Sequence, residues 1–129
     1  MFLAIGGVSL YGCDKQSEAA ASAETGAEKA DGEPKLPVPA EPALLAGKQI
    51  FEANCEKCHV EGLGDAPVIF QKALWRARVS QPKATLYEHA IKGFWGDVGE
   101  MPARGDNQDL TDAEVRSAVD YIVFVQQRS

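Results

Sequence analysis

The sequence predicts a small all-α domain at the C-terminal end of a 129-residue chain. Three observations lead there. Apolar residues recur at helical spacing in three places: Leu44, Gly47 and Phe51; Leu86 and Ala90; and Val115, Ala118, Val119, Ile122 and Val125. No segment alternates apolar and polar residues as a half-buried strand does. Between the helical stretches run long loops, Val60 to Val68 and Phe94 to Asp109, within a domain of 87 residues, Ala43 to Ser129. A core of that size is marginal by itself, and so much loop calls for something further at its centre.

The chain before the domain has two parts. Residues 1–12 are apolar and uncharged. They are too few for a membrane-spanning helix, which needs about 20 residues, but they suit the apolar core of a secretory signal. No positively charged stretch precedes them in the sequence as it stands, so the true start of the chain is left open. Leu10-Tyr11-Gly12-Cys13 resembles the bacterial lipoprotein signal, with Tyr11 bulkier than that pattern prefers. The resemblance implies lipid attachment at Cys13, and Asp14 after it resembles a signal for retention on the inner membrane.

Residues 14–42 are rich in Ala, Glu, Ser and Pro. Such a segment buries too little apolar surface to offset its ordering entropy, so it is predicted to be a disordered acidic linker. As a flexible coil it would span about 30 Å, and its prolines and like charges extend it further. It carries three Lys against seven Asp and Glu, so most of the net charge of -6 lies on this tether and the domain is nearly balanced. The acidic balance argues against nucleic acid as a partner. The overall composition, 45% hydrophobic and 25% charged, is that of an ordinary globular protein.

The first predicted helix covers Ala43 to Asn54, with Ile50 beside its apolar stripe. Gly47 lies inside it, at a cost of about 1 kcal/mol against Ala, which points to another element approaching closely. The second covers Lys83 to Lys92, with Leu86, Ala90 and Tyr87 inward and Gly93 as the stop. The last opens on Thr111-Asp112-Ala113-Glu114, a capping box with Thr111 as N-cap.

The three cysteines are too odd a number for a disulfide scaffold. Two of them fall in Cys55-Glu56-Lys57-Cys58-His59, the C-x-x-C-H signature of c-type haem attachment. Two thiols three residues apart on one helical turn can each bond a haem vinyl carbon, and the following His is then held under the iron. A zinc site would need a second ligand pair, and the domain has only one further His and no further Cys. A thioredoxin-like redox pair would need strands around it. For the sixth iron ligand, Met101 is the only methionine of the domain and sits in a loop before the last helix. His89, on the second predicted helix, is the rival.

With these residues the stretch Ala43 to Ser129 resembles the class I cytochromes c, and among them the short bacterial c-five subgroup. The resemblance implies three to five helices packed around one covalently attached haem, with the N- and C-terminal helices crossing where Gly47 and Phe51 meet Tyr121. It assigns Pro67 as the residue whose carbonyl accepts the N–H of His59. It places Trp75 beside the haem and Arg78 as a propionate partner. Leu86, Ala90, Ile91, Gly93 and the pair Met101-Pro102 also fall on the family pattern. Pro102 is followed by Ala103 where the subgroup has a second proline, its paired glycines are reduced to Gly105, and Phe94 to Glu100 is several residues longer. The aromatics Phe94 and Trp95 in that stretch fit three roles: a cover for the haem edge, an apolar docking patch, or packing within the loop.

The expected function is one-electron transfer with His/Met-ligated haem and no small-molecule substrate. The expected partners are redox proteins such as a quinol-oxidising complex, a terminal oxidase or a reductase. The expected place is the periplasm, on the inner membrane through lipid on Cys13. Two alternatives remain: a haem subunit of a larger oxidoreductase, and an open-site haem enzyme or sensor.

Overall fold

A computed structural model describes residues 34–128. The secretory leader, Cys13, Asp14 and residues 14–33 of the predicted linker lie outside the described residues. Five helices follow in order: α1 (Pro42–Asn54), α2 (Glu56–His59), α3 (Lys72–Val79), α4 (Lys83–Lys92) and α5 (Asp112–Gln127). Short 3-10 turns cover Leu63–Asp65 and Ala103–Asp106. Among the described residues no helix is long and apolar enough to cross a membrane.

The principal helix pair is α1 with α5. Pro42 opens α1, where its missing N–H costs nothing. The predicted capping box opens α5: Glu114 N donates to Thr111 Oγ1 at 3.3 Å, and Thr111 N donates to the Glu114 carboxylate at 2.8 Å. The five periodic residues of α5 are all buried, and Tyr121 and Val123 join them. Gly47 is buried against Ser117 and Tyr121. The rings of Phe51 and Tyr121, both fully buried, lie 5.6 Å apart at 53°. This is the predicted crossing of the terminal helices.

The buried apolar residues form two clusters. The first gathers Phe51, Ile69, Trp75, Ala118, Tyr121, Ile122 and Val125, with Cys55 and Ile50 at its margin. The second gathers Ala90, Val115 and Val119, with Leu86, Tyr87, Ile91, Leu110 and Met101 at its margin. Helix α5 serves both. Tyr87 and Lys83 of α4 reach Asp120 of α5 at 2.6 and 2.9 Å, which ties the second cluster's wall to the first.

Besides the two helices without a sequence stripe, α2 and α3, two features depart from the sequence expectation. The Phe94 to Glu100 loop is a small antiparallel hairpin, with β1 (Phe94–Trp95) facing β2 (Glu100–Met101), Phe94 opposite Met101 and Trp95 opposite Glu100. Two-residue strands hold too little sequence to show a period. In addition, part of the predicted linker lies on the domain. Leu36 packs at the margin of the first cluster, Pro39 is buried, and Tyr121 donates its hydroxyl proton to the Pro37 carbonyl at 2.8 Å. Burial, with a smaller effect of the Glu52 charge, pushes the Tyr121 phenol up to about 12, so it remains a donor at any ordinary pH.

Tyr121→Phe keeps the ring and removes this bond. The expected loss is about 1 kcal/mol. That lowers the thermal midpoint by about 4–8 °C in a domain of this size, read by circular dichroism. An unchanged midpoint would show that the bond does not hold residues 34–39 to the domain.

Candidate functional site

The site starts at the C-terminal end of α1. Cys55 caps that helix, its N–H bonding Phe51 O at 2.8 Å, and the chain turns at once into α2. His59 N donates to Cys55 O at 2.9 Å and Gly62 N to Cys58 O at 2.9 Å, so the pentapeptide is helical. Positions i, i+3 and i+4 share one face of a helix, which puts Cys55, Cys58 and His59 together. Both cysteine side chains are half-buried. Burial, and then the neighbouring Cys58, push the Cys55 thiol up to about 11, so the sulphur is neutral, as it also is in a thioether.

His59 is the buried polar residue of the domain core, 7% exposed. Two bonds hold it to the loop between Pro67 and Ile69, and a third ties that loop to Trp75 of α3. Its Nδ1 lies 3.0 Å from Pro67 O, its own carbonyl accepts Ile69 N at 2.6 Å, and Trp75, whose ring stands 5.6 Å from the imidazole, donates Nε1–H to Val68 O at 2.9 Å. A carbonyl can only accept, so Nδ1 carries the proton and Nε2 keeps its lone pair for a metal. Burial holds the His59 pKa below its ordinary value; the Pro67 bond opposes that shift and the Arg78 charge adds to it. The neutral ligand form is therefore the favoured one. Pro67 and Trp75 thus both lie against His59. Arg78 on α3 is close enough to act on His59 electrostatically, and its guanidinium bonds the Leu74 carbonyl.

Met101 lies half-buried on β2, at the margin of the second cluster. Its segment is tied back to the thiols by a residue the sequence did not single out. Asn107 Nδ2 donates to Asn54 Oδ1 at 2.7 Å, and Asn54 directly precedes Cys55. Gly105, at φ +63, packs where a Cβ would come within 3.1 Å of Asn54 O. Arg104 closes the same turn through Leu110 O at 2.7 Å and Asp112 at 2.5 Å. The only sequence signal for Asn54 is a polar residue at a helix end beside the motif. His89, the alternative ligand, stacks on Phe94 with ring centroids 4.1 Å apart. Of the loop aromatics, Phe94 is therefore partly packed, whereas Trp95 is 78% exposed.

The donor set suits a c-type haem. It offers two thiols and an imidazole with free Nε2 on one turn, and a thioether at the margin of the other apolar cluster. Among the described residues, no group of three or more His, Cys, Asp or Glu gathers as a bare metal ion would need.

Comparison with known proteins agrees with this chemistry. Residues 42–122 match the family model described as "Cytochrome C oxidase, cbb3-type, subunit III". The chain is 46% identical over 78 residues to cytochrome c-555 of Chlorobaculum tepidum, covering 60% of this chain and 72% of that relative. It is 41% identical over 78 residues to cytochrome c-555 of Chlorobaculum thiosulfatiphilum, covering 60% and 91%. A chain of the solved "Crystal structure of electron transfer complex of nitrite reductase with cytochrome c" superposes with a TM-score of 0.57 at 28% identity, covering 67% of this chain and 98% of that one.

Proposed function

Since the chain belongs to the cytochrome c family, matched over residues 42–122, we propose that it is a one-electron carrier whose single haem is ligated by His59 and Met101. The haem c is covalent, through Cys55 and Cys58. When bound, it supplies one reversible electron at iron, between Fe(III) and Fe(II).

The chain's residues do the rest. Cys55 and Cys58 make the cofactor permanent. Pro67 O holds the imidazole of His59 by its Nδ1–H, which fixes the ring and raises the basicity of Nε2. Met101 offers a soft neutral sulphur, which favours the reduced state relative to harder ligands. The two apolar clusters keep water from the centre. With His59 and Met101 both holding the iron, no place would be left for a substrate. The observation that carries the reading is the pairing of a Pro67-oriented, buried His59 with a thioether on the other cluster.

The same reading assigns the chain to the c-five-like carriers, with Arg78 beside a haem propionate. It places the protein in the periplasm, tethered to the inner membrane by lipid on Cys13 and the acidic linker. Its partners are then respiratory redox proteins: a quinol-oxidising complex, a terminal oxidase or a reductase. The structural neighbour, from an electron transfer complex of nitrite reductase with cytochrome c, supports partners of that kind. Transient redox encounters use small interfaces, and a tether raises their frequency by effective concentration.

The test is an absorption spectrum of cells expressing the full chain. The expected result is low-spin haem with a thioether-to-iron band, no carbon monoxide binding in the native protein, and signal in the membrane fraction that Cys13→Ser releases. High-spin haem that binds carbon monoxide would replace the carrier with an open-site enzyme or sensor. A second reading, a haem subunit of a larger oxidoreductase, is favoured by the oxidase-subunit description of the matching family. Co-purification of a stoichiometric complex from membranes would establish it.

A further inference from the structure

His89 has no part in the function described so far, yet it stands at the base of the hairpin that carries Met101. Its ring lies over that of Phe94, 4.1 Å between centroids and 24° from parallel. Phe94 opens β1 and is the register partner of Met101 on β2. Gly93 between them, at φ +85, brings the backbone so close that a Cβ would meet Met101 O at 3.0 Å and Ala103 N at 3.1 Å.

The hairpin needs such support. A two-stranded ladder of this length is not stable alone. Its far side is exposed, Trp95 at 78% and Val98 at 67%, and gives β1 little to pack on. Helix α4, by contrast, is anchored through Ala90 in the second cluster and through Tyr87 and Lys83 on Asp120.

We propose that His89 is a positioning residue for the axial sulphur: its imidazole clamps Phe94, Phe94 holds the register of β1 against β2, and the register keeps Met101 available to the iron. The proposal rests on the reading of Met101 as the sixth ligand. It uses the ring face of His89, stacked on Phe94.

If the clamp is lost, the hairpin frays more often and Met101 spends more time away from the iron. The apparent affinity of an external ligand scales with that open fraction. Imidazole binding to the ferric protein therefore reads the clamp directly. An aromatic pair of this geometry shifts an equilibrium by about two- to tenfold.

The experiment is an imidazole titration of the purified ferric holoprotein, with the thioether-to-iron band recorded for each variant. His89→Ala should bind imidazole about two- to tenfold more tightly and show a weaker band. Phe94→Ala should do the same, and the double variant should add nothing beyond either single change. His89→Phe retains a stacking ring and should stay near the unmodified protein. Met101→Ala, run in parallel, should lose the band altogether. Should His89→Ala bind imidazole like the unmodified protein while Met101→Ala loses the band, the clamp is overturned and the ligand assignment stands. Equal tightening in His89→Ala and His89→Phe also overturns the clamp, because the stack is then not the cause. A band that survives Met101→Ala overturns the ligand assignment and the clamp with it.

Discussion

With Met101 as the proposed sixth ligand, Met101→Ala is expected to open an iron position and to lower the reduction potential by on the order of a hundred millivolts or more. The direction follows from the ligand. A thioether is soft and neutral, so it stabilises the electron-rich Fe(II) state more than water or a harder donor does. The fold should survive, because Met101 lies at the margin of its cluster, half-buried. Ala90, Val115 and Val119 at the centre of that cluster stay in place, and the His59 side of the site is untouched. The change should therefore appear in the spectrum and in potentiometry, with carbon monoxide now binding to the reduced protein, and far less in far-UV circular dichroism. A spectrum identical to that of the unmodified protein would mean that another group supplies the sixth ligand.

The parts of this molecule that were legible in its sequence are those whose physics is local. The capping box at Thr111 and Glu114 needs four consecutive residues, and it forms as read. The helical period of α5 is carried by five residues that are all buried. The pentapeptide from Cys55 to His59 specifies its own chemistry, since one helical turn suffices to align it. Pro67 is singled out by family resemblance alone, and its carbonyl lies 3.0 Å from His59 Nδ1.

What escaped is long-range or weakly patterned. Helix α3 buries only Trp75 among Lys72, Arg76 and Arg78, so no apolar stripe announces it. The contact of Tyr121 with Pro37 joins residues 84 apart, and that of Asn107 with Asn54 joins residues 53 apart. In both cases the polar group has many possible partners in the sequence, and only the packed helices select one. The hairpin escaped because its two-residue strands are too short to carry a period.

Gly47→Ala is the substitution with the largest expected effect on stability, and its sign is opposite to the usual one. In an exposed helix interior, replacing Gly with Ala stabilises by about 0.8–1.0 kcal/mol. At position 47 the added Cβ would lie 2.1 Å from Ser117 O and 2.8 Å from Ser117 C. Both atoms are backbone of α5, so no rotamer change and no shortening of the Ser117 side chain relieves the overlap. Helix α1 must move away from α5 as a body, and Phe51 must then withdraw from Tyr121, now 5.6 Å from it. Overpacking of this kind costs about 1–3 kcal/mol and at times more. A contact with rigid backbone belongs at the upper end, so the net loss should be about 2 kcal/mol or more after the propensity gain. For a domain of this size that lowers the thermal midpoint of the holoprotein by roughly 10 °C or more. Ala46→Gly, one position away on the exposed side of α1, should cost only the roughly 0.5–1 kcal/mol of ordinary helix propensity. The pair thus separates crowding from propensity: the change that adds a methyl group to the helix is the more damaging one. A midpoint for Gly47→Ala equal to or above that of the unmodified protein would mean that α1 and α5 do not cross this closely. In that case the terminal-helix contact could not be what fixes the end of α1, and with it Cys55, in the domain.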